Sequence, residues 1–260
     1  MIVPHTTARA LREVAALDEN GNTLVDTGLP SQEEVISSAL ADAAGIGVQD
    51  LGGIIFTHQD LDHVGSGAAL VRRSGARVLA LAVEAPYIDG GLRPLKPTPE
   101  MLEQRPQMRE MLQRLEPIGV DELLEDGERL DLAGGTRVVF TPGHTPGHAT
   151  LYLEGPRVLV AGDALTAEEG HLNGPNPPVT LDMDEASRSV GRLAELDVET
   201  IVCYHGGVVN EDANGQLNRR KIPSFVASFP AGGVTQLARR ARDVSSSTTV
   251  RGDAGYGWRA

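Results

Sequence analysis

The sequence predicts an α/β fold, and two features carry that expectation. From Asn22 to Val83, short apolar runs alternate with stretches of helical period, in the order strand–helix–strand–helix–strand that crossover connections produce. Beyond Thr136, a series of short strands is interrupted by one amphipathic stretch, "DEASRSVGRLAEL", before the last of them.

Taken in order, "ENGNTLVDTG" (19–28) reads as a turn and a short buried strand, with Asp26 and Gly28 allowing a sharp exit. "SQEEVISSALADAAG" (31–45) has a helical period, Ser31 in position to cap it, acids in the first turn and Gly45 as a stop. "LGGIIFTH" is a second strand, "GSGAALVRRSG" a second helix and "RVLALAV" (77–83) a third strand. Residues 84–118 break the rhythm: a Pro/Gly loop precedes a helical pattern interrupted by Pro106. Such an insertion either caps an active site or is a plain surface excursion. "TRVVFTPGHTPGH", "ATLYLEG", "RVLVAGD" and "ETIVCYHGG" supply the later strands. Residues 1–220 are therefore expected to form one domain, and 221–260, dominated by Ser, Thr, Gly and Arg, an appended mobile tail in which only "VTQLARRARDV" has a helical pattern.

Composition narrows the function. Aromatics make up 3% of the 260 residues, so the core must rest on Val, Leu, Ile and Ala. The single Cys203 cannot form an internal disulfide. Together with a first segment that lacks a signal peptide's apolar stretch, this predicts a cytoplasmic protein with no membrane partner. A net charge of −13 argues against nucleic acid as a partner. The charge is uneven: from Lys221 onward six Lys or Arg face two Asp, which leaves −17 on the preceding chain.

Of seven histidines, five fall in three groups, each after an apolar run: His58 and His63, His144 and His148, and His205. Asp163 stands just beyond the strand in "LVAGDAL". A lone histidine is most often a surface or hydrogen-bonded core residue. Five of them at strand ends, beside glycines and aspartates, are better explained by metal ligation. Imidazole and carboxylate are standard ligands for Zn, Fe and Mn. His58 and Asp60 are two apart and point the same way from an extended segment. One cysteine excludes a thiolate zinc finger, which favours an open, water-bearing catalytic site. No G-x-S-x-G nucleophile elbow is present.

"LVDTG", "THQDLDHVG", "TPGHTPGH", "AGDAL" and "YHGG", in this order, resemble the metallo-β-lactamase-fold hydrolase superfamily over residues from about Asn22 to Asn218. The resemblance implies a four-layer αβ/βα sandwich with two divalent metal ions at one edge of two facing sheets. It assigns His58, Asp60 and His144 to the first ion and Asp62, His63 and His205 to the second, with Asp163 bridging. Asp62 would also act in catalysis, orienting the hydroxide or handling the leaving-group proton. Asp26 would fix a ligand imidazole, and His148 would support the site without ligating. His5 and His171 match no motif, and His171 is a candidate for the border of a substrate site.

The superfamily motif is H-x-H-x-D-H, so Asp60 stands where a ligating histidine is usual. Either Asp60 ligates in its place or the first metal position is weakened. Ligation is the preferred reading, because carboxylate is a competent ligand and the other positions are intact. Three carboxylates, two divalent ions and one hydroxide leave the site uncharged, which points to a neutral or weakly charged substrate. Zinc is the first expectation, with Mn or Fe favoured by the added oxygen ligand. The activity implied is attack of a metal-bound hydroxide on a small ester, lactone or thioester. The alternatives are a di-iron oxidoreductase-like protein, a phosphoesterase, or a binding protein on the same fold. A homodimer is also admitted by the resemblance, with 84–118 as a candidate interface. The sequence names no substrate-binding residues.

Overall fold

The computed structural model describes residues 2–4, 14–18 and 21–220. His5, the tail 221–260 and its expected helix lie outside them. The first sheet holds β1 (Ile2–Pro4), β2 (Val14–Asp18), β3 (Gly21–Val25), β4 (Leu51–Phe56), β5 (Arg77–Leu81) and β6 (Glu122–Leu124), in that spatial order. β1 to β3 are antiparallel, whereas β3 to β6 run parallel. Parallel neighbours need crossovers, and these supply α1 (Glu33–Ala44), then α2 (Leu61–Val64) and α3 (Gly67–Ser74). The 84–118 insertion is itself the crossover from β5 to β6, carrying α4 (Ala85–Ile88), α5 (Pro99–Gln104) and α6 (Met108–Gln113).

The second sheet is built from β7 (Arg129–Leu130), β8 (Thr136–Phe140), β9 (Ala149–Leu153) and β10 (Val158–Gly162), an antiparallel meander. After a ribbon of β11 (Thr166–Glu168) and β12 (His171–Asn173) and the helix α7 (Met183–Leu193), β13 (Thr200–Cys203) adds parallel to β10. β14 (Gly207–Val209) closes the edge, and α8 (Ala213–Arg220) follows.

Period-two alternation sorts these strands into layers. Leu24, Ile54 and Phe56 turn toward Ile36 and Leu40 of α1 and Leu70 of α3. Their neighbours Val25 and Ile55 turn the other way, against Val138, Leu151, Val160 and Val202 of the second sheet. Leu159, Ala161, Ile201 and Cys203 face Val190 and Leu193 of α7 and Leu217 of α8. The result is helix, sheet, sheet, helix: a four-layer sandwich. Strands buried on both faces explain why "GIIF" and "VLVAG" are unbroken apolar runs.

The structure departs from the sequence expectations in places. Ser31 does not cap α1; it adopts φ 70°, Gln32 precedes the helix, and the Gln32 N–H donates to Ser66 Oγ at 2.8 Å. Gly45 ends α1 in the left-handed conformation, as expected of a C-terminal glycine. β1, β2, β6, β7, the β11–β12 ribbon and α8 go unanticipated. "VAALD" (14–18) contains the helix formers Ala and Leu, and its pairing with β3 overrides that propensity. Among the described residues, no helix is long and apolar enough to cross a membrane.

Candidate metal centre

Asp26 follows β3, Thr57 to Asp60 follow β4 and Glu84 lies just beyond β5, all past the carboxyl ends of parallel strands. From the second sheet, Asp163 follows β10, His205 follows β13, and residues 141–148 join β8 to β9. Two glycines let these turns close. Gly162, at φ +52°, lies so near His148 that a Cβ would meet Nε2 at 2.7 Å. At Gly143, φ +129°, a Cβ would meet the Ala186 backbone nitrogen at 2.2 Å.

Each ring's orientation is set by what its other nitrogen does. Asp26, held at φ 61°, accepts from the Thr57 N–H (2.8 Å), the Thr57 hydroxyl (2.7 Å) and His63 Nδ1 (2.8 Å). Because the Thr57 hydroxyl donates to Asp26, it accepts from His58 Nδ1 at 3.0 Å. Both imidazoles therefore carry Nδ1–H, which leaves Nε2 as the nitrogen turned inward. His148 uses both nitrogens internally: Nδ1 pairs with Thr141 Oγ1 at 2.8 Å and Nε2 accepts from the Asp163 N–H at 2.9 Å. It orients Asp163 and has no lone pair left to offer an ion.

Nε2 of His58, His63, His144 and His205 converge on three carboxylates. His58 is 3.4 Å from Asp60, and His63 is 3.3 Å from Asp163. His144 is 3.0 Å from Asp60 and 3.3 Å from Asp163, while His205 is 3.3 Å from both Asp62 and Asp163. Asp163 thus touches histidines of both halves of the cluster. The sets His58–Asp60–His144, His58–His63–Asp163 and Asp62–His63–His205 each have ligand atoms within 4.8 Å of one another. His58 Nε2, Asp60 Oδ1, His63 Nε2 and Asp163 Oδ1 are buried without a hydrogen-bond partner. A donor set of this composition with orphaned lone pairs fits a divalent cation.

The metal-free electrostatics agree. Burial, helped by His63, lowers the His58 pKa to about 4. Burial also opposes charge on His63 and His205, but neighbouring carboxylates win. Asp26 and Asp163 push His63 well above its usual value, and Asp163 with Asp62 pushes His205 up to about 9. Burial would raise Asp163, yet His63 and His205 hold it well below the carboxylate range. An arriving cation would displace protons from His63 and His205.

Two buried groups here were not singled out from the sequence. Glu84 is fully buried and accepts from Gln59 N (2.9 Å) and Nε2 (3.0 Å), Thr145 Oγ1 (2.8 Å) and the Gly147 N–H (2.8 Å). It thereby clamps the His58–Asp60 segment to the His144–His148 turn, while burial raises its pKa. A carboxylate straight after an apolar strand, as at Asp163, was the available signal. Lys96 is 5% exposed, with Nζ 2.5 Å from Asp60 Oδ2 and 2.7 Å from His144 Nε2. Its signal was indirect: a carboxylate replacing a histidine asks for an extra cation nearby.

The cluster floors a cavity of about 770 Å³, with Lys96 in its wall. Met101, Met108 and Met111 of the insertion and Leu29 supply an apolar side, and Arg105 and Asn176 polar positions. The insertion therefore contributes to the cavity rather than only to the surface. His171 is exposed on β12 and is not among the lining residues.

A family model described as the metallo-beta-lactamase superfamily matches residues 14–205. The chain is 30% identical over 205 residues to "Probable metallo-hydrolase YflN" of Bacillus subtilis, covering 70% of this chain and 74% of that protein. It is 33% identical over 159 residues to a hydroxyacylglutathione hydrolase of Pseudomonas paraeruginosa, covering 60% of this chain and 47% of that one. Among solved structures, the metallo-beta-lactamase family protein TTHA1429 of Thermus thermophilus superposes with a TM-score of 0.68 at 26% identity, over 85% of this chain and 77% of that chain.

Proposed function

The chain belongs to the metallo-beta-lactamase superfamily, and on that premise we propose that it is a metal-dependent hydrolase of small esters, lactones or thioesters. The observation that carries the reading is the set of four buried donor atoms in the cluster that have no hydrogen-bond partner. An unsatisfied buried polar group costs roughly 1–3 kcal/mol. Four of them would consume much of a domain's net stability of about 5–15 kcal/mol. A cation held by His63 and Asp163 would relieve two of the four, and one at His58 and Asp60 the other two.

When bound, the ion supplies Lewis acidity and a water of lowered pKa. Asp62, His63, Asp163 and His205 take one ion as they stand, zinc foremost, with Mn or Fe as alternatives. Asp62, in the cavity wall and 3.3 Å from His205, is the group positioned to hold a proton passing between water and leaving group. Asp26 keeps His63 in its Nδ1–H tautomer throughout, and His148 keeps Asp163 aimed at the cluster. The methionine side of the cavity suits an apolar acyl group, since flexible thioethers adapt to varied chains. The likeness to hydroxyacylglutathione hydrolases supports the thioester member of the substrate set.

A second reading, two ions per chain with His58, Asp60 and His144 holding the other, is favoured by the orphaned His58 Nε2 and Asp60 Oδ1. The test of the activity is direct. Protein stripped with a chelator and reloaded with zinc, manganese or iron is assayed on aryl esters, lactones and acyl thioesters of increasing chain length. Hydrolysis that vanishes on stripping and returns on reloading is expected. Equal hydrolysis by stripped protein would overturn the reading, and oxygen-consuming turnover of the iron form would favour the oxidoreductase alternative.

A further inference from the structure

Asp60 departs from the superfamily motif, and Lys96 is the cation set against it. We propose that the Lys96 ammonium is the resident cation of the His58–Asp60–His144 half of the cluster, so that the protein binds one divalent ion per chain, at Asp62, His63, Asp163 and His205. This rests on the metal-dependent reading above.

An ammonium has three N–H bonds, and Lys96 has three acceptors: Asp60 Oδ2 at 2.5 Å, His144 Nε2 at 2.7 Å and the Val179 carbonyl at 2.8 Å. His144 Nε2 and Asp60 Oδ2 are only 3.0 Å apart. An Nε2–H aimed at Asp60 would leave the ammonium facing a nitrogen with nothing to accept its proton. The Nε2 lone pair is therefore directed at Lys96, and Nδ1 faces Thr180 Oγ1 at 3.5 Å. An imidazole nitrogen has a single lone pair, so His144 Nε2 cannot ligate an ion while it accepts from Lys96. The two cations exclude each other.

The lysine is also held in place by its backbone. The Leu95 N–H donates to Gln59 Oε1 at 2.8 Å, and Glu84 fixes Gln59 through both its backbone and side-chain nitrogens. The residue that delivers Lys96 is thus tied to the segment that carries Asp60. Carboxylate in place of histidine, and ammonium in place of a divalent ion, form one matched exchange. The ammonium stands in the cavity wall with its three N–H bonds committed to Asp60, His144 and Val179.

The experiment counts zinc per chain by mass spectrometry after loading with excess Zn²⁺ and removing free ion, with folding followed by circular dichroism. One zinc in the parent and two in Lys96→Met are expected, with Lys96→Arg, which keeps the cation, remaining at one. Two in the parent overturns the proposal while leaving the hydrolase reading intact. One in both parent and Lys96→Met also overturns it, because something other than the ammonium then excludes the second ion. None in a folded parent removes the metal-dependent reading itself, and this proposal with it. The parent count alone separates one ion from two, so the test survives a Lys96→Met variant that fails to fold.

Discussion

The two halves of the histidine–aspartate cluster differ in what satisfies them. Around Asp60 and His144, an ammonium from the insertion already occupies Asp60 Oδ2 and His144 Nε2. Around Asp163 and His63, Oδ1 and Nε2 lie 3.3 Å from each other with no hydrogen-bond partner, while Asp26 and His148 hold the groups in position from behind. In the first half, His58 Nε2 and Asp60 Oδ1 are likewise unpartnered. The contrast teaches that a shared donor pattern does not imply equal occupancy. On the one-ion proposal the Lys96 half acts as structure and the other, open half as the metal site, and each variant should strike one side of that division.

The largest effect belongs to the open half. Asp163→Ala removes the carboxylate that reaches histidines of both halves, and hydrolysis should fall by roughly 10³-fold or more. Assays of the zinc-loaded variant check this, and the metal-free fold should survive. Asp60→Ala should do the reverse, acting on stability whether or not metal is present, because it strands a buried ammonium. Breaking such a pair costs roughly 3–5 kcal/mol, a drop in melting temperature of about 6–20 °C for a domain of this size. A melting temperature unmoved by Asp60→Ala would erase the distinction between the halves.

Asp26→Asn is a smaller blow to the open half. It weakens the tether on His63 Nδ1 and should reduce zinc affinity about 10–100-fold, measured by competition with a chelator. The smallest effect is a pH slope. In the metal-free protein His205 is raised from 6.5 to about 9 by its carboxylates. Its contribution to stability is complete below about pH 6.5 and is lost as pH rises through 9. Metal-free melting temperatures should therefore decline between those values. Zinc-loaded protein should lack that decline, since the ion replaces the proton.

Much of this was legible because the chemistry is local. "LVDTG", "THQDLDHVG", "TPGHTPGH", "AGDAL" and "YHGG" each couple an apolar strand to a turn, and a shared sheet edge is enough to bring Asp26, His58, Asp60, Asp62, His63, His144, Asp163 and His205 together. The layer order was carried by the resemblance, while α1, α3 and α7 showed in their periodicity. Lys96 was not legible. It lies in "LRPLKPTPE", where no period operates, and its reach to Asp60 depends on how the β5–β6 crossover returns over the cavity. Glu84 was closer to view, yet its four hydrogen bonds involve residues 25 to 63 positions away. The short strands β6, β7, β11 and β12 are specified by pairing partners more than by their own residues.

The central claim is that the open half is a metal site. It is tested most directly by calorimetric titration of the metal-free protein with zinc at neutral pH, in buffers of different ionisation enthalpy. Tight binding with proton release, as His63 and His205 surrender their protons, is the predicted result. A folded protein that takes up no zinc, or takes it up without releasing protons, would contradict the account.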